Sequence, residues 1–97
     1  METKYIPKPL DTRKVDLSPE LLELTELLSR NTHEIWARQR IADGWKYGAE
    51  RNDVQREHPS IIPYELLSEE EKLYDRSTAM ETLKVIKLLN YNIEKQT

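Results

Sequence analysis

The chain has 97 residues, 37% apolar and 34% charged, with a net charge of −3 and no cysteine. That length and apolar content support one modest core under a heavily charged surface, and they exclude two independent domains. The missing cysteine excludes disulfides and thiolate chemistry, and the negative balance argues against a nucleic-acid partner, since phosphate neutralisation dominates such affinity.

In chain order, residues 1–17 read as an extended arm. Pro7 and Pro9 hold the residues before them in β or polyproline conformations. Tyr5, Ile6, Leu10, Val15 and Leu17 are apolar enough to lay the arm across the body. The arm carries lysines and prolines but no apolar run, so a signal peptide is not expected. No segment approaches the ~20 apolar residues of a membrane span. No membrane partner and a cytoplasmic location are the expectations.

A first helix is predicted over residues 18–43. Ser18 suits the N-cap, Pro19 the first helical position, and Glu20 and Glu23 the positive end of the dipole. Leu21, Leu24, Leu28, Ile35 and Ala42 recur at helical spacing, with Leu22, Leu27 and Trp36 widening the stripe. Gly44 can take the left-handed conformation that ends a helix.

Residues 44–67 form a connector. Trp45 and Tyr47 alternate between Gly44 and Gly48, too briefly for a helix. Arg51, Asn52 and Asp53 favour a turn. His58-Pro59 and Ile62-Pro63 keep the chain extended, and a short helical turn is expected over residues 63–67. A second helix follows over residues 68–90, opened by a Ser68/Glu71 capping box. Leu73, Met80, Leu83 and Ile86 form its expected buried face, broadened by Tyr74, Ala79, Val85 and Leu89, and Asn90 is its stop signal. A charged tail over residues 91–97 ends the chain.

Metal binding needs ligand spacings that His33 and His58 do not supply. Ser29, Ser60 and Ser77 lack any nucleophile-elbow context, and the acids at Glu69 to Glu71 are explained by capping. Neither an enzyme nor a cofactor is expected. The remaining constellation is aromatic planes beside guanidinium groups. Between Trp36 and Tyr64 lie both tryptophans, both glycines, five basic and four acidic residues, against ten and fourteen elsewhere. Trp36 and Arg40 are four apart on one helical face, and Trp45, Tyr47 and Arg51 follow. Aromatic faces stack flat rings and arginine offers forked donors to phosphate. The same residues also read as tryptophans plugging a core and arginines capping carbonyls, so both readings stay open.

The runs Y-I-P-K-P-L-D-T, H-E-I-W-A-R-Q-R-I-A-D-G-W-K-Y-G, R-N-D, H-P, P-Y and E-K-x-Y-D-R-x-T-A-M-E-T-L-K together resemble the RyR domain, the repeat of ryanodine receptors and of short bacterial proteins. The resemblance runs from Tyr5 to Tyr91. It departs at Asn52, where an acid is common, and at Ser60 and Ile61. It implies an α-helical module that occurs in receptors as pseudo-two-fold tandem pairs, so a homodimer can stand in for the pair. It does not imply a channel. Regulation of that family by adenine nucleotides directs attention to the matching positions Trp36, Arg40, Trp45, Tyr47, Arg51, Asp53 and His58, with Tyr64 and Arg76 behind them.

The expectation is an all-α single domain with two long antiparallel helices, an extended arm and a partly irregular connector. Its expected function is non-enzymatic binding of a nucleotide-like anion in the connector. The alternative is an assembly module whose aromatic surface is a dimer or partner interface.

Overall fold

The computed structural model describes residues 4–96; Met1 to Thr3 and Thr97, which fall in the expected arm and tail, lie outside the described residues. Two long helices dominate: α1, Pro19–Ala42, and α2, Glu69–Leu88. Between them come two-residue strands β1, Lys46–Tyr47, and β2, Glu57–His58, and a 3₁₀ turn, Tyr64–Leu66. The strands pair in parallel, Lys46 opposite Glu57 and Tyr47 opposite His58.

The capping residues of both helices are those picked out in the sequence, with the helices themselves running Pro19–Ala42 and Glu69–Leu88 against the expected 18–43 and 68–90. The Ser18 hydroxyl accepts the Leu21 N–H, with Pro19 in the first turn. At α2, the Ser68 hydroxyl accepts the Glu71 N–H at 3.2 Å and donates to the Glu71 carboxylate at 3.1 Å. Each C-terminus closes in a Schellman arrangement. After α1, Gly44 has φ of 89°; its N–H reaches the Ile41 carbonyl and that of Trp45 the Arg40 carbonyl. After α2, Asn90 takes the same role with φ of 69°, sending its N–H to Lys87 and that of Tyr91 to Ile86.

The helices run antiparallel, with the α2 end brought back beside the α1 start, where Lys87 donates to the Asp16 carbonyl at 2.6 Å. The Arg76 guanidinium of α2 forks onto Glu26 of α1, at 2.5 and 3.1 Å, and also reaches Glu69 at 3.3 Å. This pairing pulls the Glu26 carboxyl below its ordinary range and raises the guanidinium. Arg76 is therefore a strut between the helices.

The buried seam of α1 is polar. Thr25, Ser29 and His33, four residues apart, are its most buried positions. Their partners satisfy them: Thr25 donates to the Leu21 carbonyl, Ser29 meets the Tyr64 hydroxyl at 3.0 Å, and His33 Nε2 lies 2.7 Å from the Ile62 carbonyl. The apolar core beside them is small, with Tyr64, Leu67 and Leu83 buried. Leu21, Leu24 and Leu28 flank the seam half-buried, as the expected stripe requires, but Ile35 is 49% exposed and Ala42 is exposed. The buried seam follows the i, i+4 row of Thr25, Ser29 and His33, which winds about 40° around the helix at each step, so it turns away from Ile35 toward His33 and Trp36. On α2, Leu73, Tyr74 and Leu89 are likewise exposed, as are Leu22 and Leu27 of α1.

The arm is held by polar contacts. Thr12 is buried and its hydroxyl donates to Glu81 at 2.8 Å, with Val15 and Leu17 half-buried. Tyr5, Ile6 and Leu10, expected against the body, are exposed. The chain's accessible surface is 8300 Å², whereas a compact monomer of this mass exposes about 5800 Å². Its radius of gyration is 17.0 Å, against about 12.5 Å for a compact chain of this length.

Leu83→Ala is expected to cost about 2–5 kcal/mol, whereas Ile35→Ala should stay within about 0.5 kcal/mol. Urea midpoints of the two variants test the seam; equal losses would place Ile35 in the core.

Candidate functional site

The end of α1 builds the site. Trp36 and Arg40 lie one turn apart on the helix, and the Schellman closure at Gly44 returns Trp45 over the last turn. The bond from the Trp45 N–H to the Arg40 carbonyl, 2.9 Å, sets that return. The Arg40 guanidinium then lies 4.8 Å from the Trp45 ring centre and 5.6 Å from that of Trp36, a cation–π arrangement with both indoles. Among the described residues no carboxylate pairs with it, in contrast to Arg13, Arg30, Arg51 and Arg76.

Strand β2 presents His58. Arg56, at φ of 54°, donates to the Asp43 carbonyl at 2.7 Å, which ties the loop to the α1 terminus. Gly48 is required because a Cβ there would lie 2.6 Å from the Glu57 Cβ. His58 meets Trp36 edge-on at 5.1 Å and Trp45 at 6.4 Å. Its Nδ1 accepts the Ser60 N–H at 3.0 Å, so the proton of the neutral ring is on Nε2. Burial, then Arg51 and Arg40, depress its pKa. His33 also stacks on Trp36, at 5.7 Å.

Beside this cluster a cavity of about 330 Å³ opens between the helices and the connector. His33, Trp36 and His58 line one side and Glu71, Tyr74 and Asp75 the other. Glu71 accepts from the Ser60 hydroxyl at 2.6 Å, which lowers its carboxyl below the ordinary range. Asp75 has no hydrogen bond among the described residues, and burial pushes its carboxyl up.

Of the residues singled out in the sequence, Trp36, Arg40, Trp45 and His58 come together. Tyr47 does not join them; it is 57% exposed on β1. Arg51 and Asp53 pair with each other at 2.8 Å, so the Arg51 fork is already engaged. Tyr64 is 2% exposed, a core residue, and Arg76 is the interhelix strut. Sequence reasoning passed over His33, Glu71 and Asp75 as site residues. The spacing of His33 from Trp36 and of Glu71 from Asp75 puts each pair on one helical face, but only the packing of α1 on α2 joins the pairs. Among the described residues no cluster of three or more His, Asp or Glu is placed to hold a metal ion, and no helix is long and apolar enough to cross a membrane.

The family model of the RyR domain matches residues 5–95, nearly the whole chain. The protein belongs to the RyR domain family.

Because the folded-state pKa of His58 is depressed, the unfolded chain binds more protons between that value and the ordinary 6.5. The contribution is present above pH 6.5 and lost as pH falls through the folded pKa. His58→Asn, which keeps an acceptor for the Ser60 N–H, should therefore flatten the decline of the urea midpoint between pH 7.5 and pH 5.5, ~one unit either side of the ordinary histidine value. A slope equal to that of the parent chain would mean His58 titrates as it does unfolded.

Proposed function

We propose that this protein is a non-enzymatic ligand-binding module that takes a nucleotide-like compound. Its ring enters the cavity against Trp36 and His58, and its anionic group meets Arg40. The observation that carries this reading is Arg40 itself, a guanidinium fixed on two indoles with no carboxylate of its own among the described residues. A pre-positioned cation loses little freedom when it receives an anion. The aromatic wall adds stacking, worth about 1–3 kcal/mol per plane in single-strand recognition. Trp45 supports Arg40 from the far side, while Arg51 is a secondary contact that must first leave Asp53.

Fluorescence titration with nucleoside monophosphates tests this directly. Arg40→Gln is expected to weaken binding about tenfold or more, the size of one charge-assisted contact, and to flatten its salt dependence. Trp45→Ala should weaken it as strongly at small cost in stability. Unchanged affinity in Arg40→Gln would remove the anion contact from the reading.

A second reading, assembly as a homodimer, is favoured by the surface. The accessible area exceeds that of a compact monomer by more than the ~800 Å² each partner contributes to a standard interface. Leu22, Leu27, Leu73 and Tyr74 are among the exposed apolar side chains. Light scattering should give the mass of a dimer at micromolar concentrations; a monomer mass across the dilution series would rule this out.

A further inference from the structure

A groove of about 590 Å³ runs along α2. Tyr74, Thr78 and Thr82 form one row of its floor and Ser77, Glu81 and Val85 the next. The Thr78 and Thr82 hydroxyls donate to the Tyr74 and Thr78 carbonyls, at 3.1 and 3.0 Å. They are spent within the helix, and the methyl groups remain for a partner. Pro9 and Leu10 of the arm form one margin of the groove, and Glu81 is the charged side chain in its lining. The root of the arm is fixed there by the Thr12 hydroxyl, which donates to Glu81 at 2.8 Å. Beyond Pro9 the arm leaves the groove. Tyr5 to Lys8 are not among its lining residues, and Tyr5 and Ile6 are 83% and 68% exposed. An apolar tip and a groove beside its root are thus both left uncovered in the one chain.

We infer that the groove receives the arm tip, residues 4–8, of a second copy of this chain. Each copy gives one arm and receives one, so the interface is isologous and closes at two. The lengths match: four steps of extended chain reach about 12 Å, and Tyr74 to Thr82 spans about 12 Å of helix. Pro7 and Pro9 hold the segment extended before it docks, so little freedom is lost on binding. Stiff proline-bearing segments also suit a groove with an aromatic wall, which Tyr74 supplies. Charge agrees as well. Residues 4–8 carry Lys4 and Lys8 and no acid, whereas the groove offers Glu81, with Glu70 exposed one turn before Tyr74 on the same row. The area is sufficient: the chain exposes about 2500 Å² more than a compact monomer, and a standard interface takes ~800 Å² from each partner. This inference rests on the assembly reading and names the interface for it.

The test is light scattering of the full chain over a micromolar dilution series, in the parent, in Ile6→Asp and in Thr82→Arg. The parent should give the mass of a dimer, and each variant should raise the dimer Kd about tenfold or more. An equimolar mixture of the two variants separates exchange from other interfaces. The arm of Thr82→Arg and the groove of Ile6→Asp are intact, so one pairing survives. The mixture should therefore dimerise at concentrations where each variant alone is a monomer. Both positions are exposed, so helical circular dichroism should match the parent; a variant that loses it gives way to Tyr5→Ser or Thr78→Arg. A parent that stays monomeric overturns this inference and the assembly reading together. A parent dimer that either variant leaves as tight as before overturns the exchange and leaves assembly standing. So does loss of the dimer in both variants without recovery on mixing.

Discussion

Two hydrogen bonds from buried side chains of α1 hold the connector in place: Ser29 to the Tyr64 hydroxyl, 3.0 Å, and His33 to the Ile62 carbonyl, 2.7 Å. They join residues about 30 positions apart, and the small apolar core has no comparable directionality. Burying an acceptor without a donor costs about 1–3 kcal/mol, so a slipped connector would lose both bonds and gain nothing. Tyr64, fixed this way, sits between α1 and the start of α2 with cations above its ring, Arg30 at 5.8 Å and Lys72 at 5.6 Å. The position of α2, and hence of Glu71 and Asp75 in the cavity, follows from that anchor.

Local signals in the sequence were sufficient where the physics is local. Ser18, Gly44, Ser68 and Asn90 mark the helix ends because capping involves groups within a few residues. The gathering of Trp36, Arg40 and Trp45 was legible for the same reason, since one Schellman closure brings all three together. What could not be read was which face of α1 turns inward. Leucines at helical spacing advertise an apolar stripe, yet the buried positions are Thr25, Ser29 and His33, whose partners, apart from the Leu21 carbonyl, lie in the connector. Tyr47, Tyr64 and Arg76 share the sequence neighbourhood or family motif of the site, but strand exposure, burial and ion pairing respectively set them apart. His33 and Asp75 gained interest only once two distant helices faced each other.

Several charged groups are paired: Arg51 with Asp53, Arg76 with Glu26, Arg30 with Glu65. Near Trp36 two of opposite sign are not. Among the described residues Arg40 has no carboxylate partner, and Asp75 has no donor, although burial raises its carboxyl. Local departures from internal consistency are expected at functional sites, and in the proposed function these two groups would be the ones left to a ligand.

The size of the core decides how such a partner would act. With three apolar residues buried among the described residues and a surface well above that of a compact chain, intrinsic stability is expected at the lower end of the ~5–15 kcal/mol typical of domains. A ligand that binds only the folded chain adds RT ln(1 + [L]/Kd), about 2.7 kcal/mol at a hundredfold excess over Kd. Against a small intrinsic stability that addition is a large fraction. The connector, tied down by a few hydrogen bonds and ion pairs, among them those of Tyr64, Ile62, Ser60 and Arg56, is the part whose order would respond most. In the proposed function, a ligand in the cavity would touch His33 on α1, His58 on the connector and Asp75 on α2, so binding and tightening of the fold would be a single event.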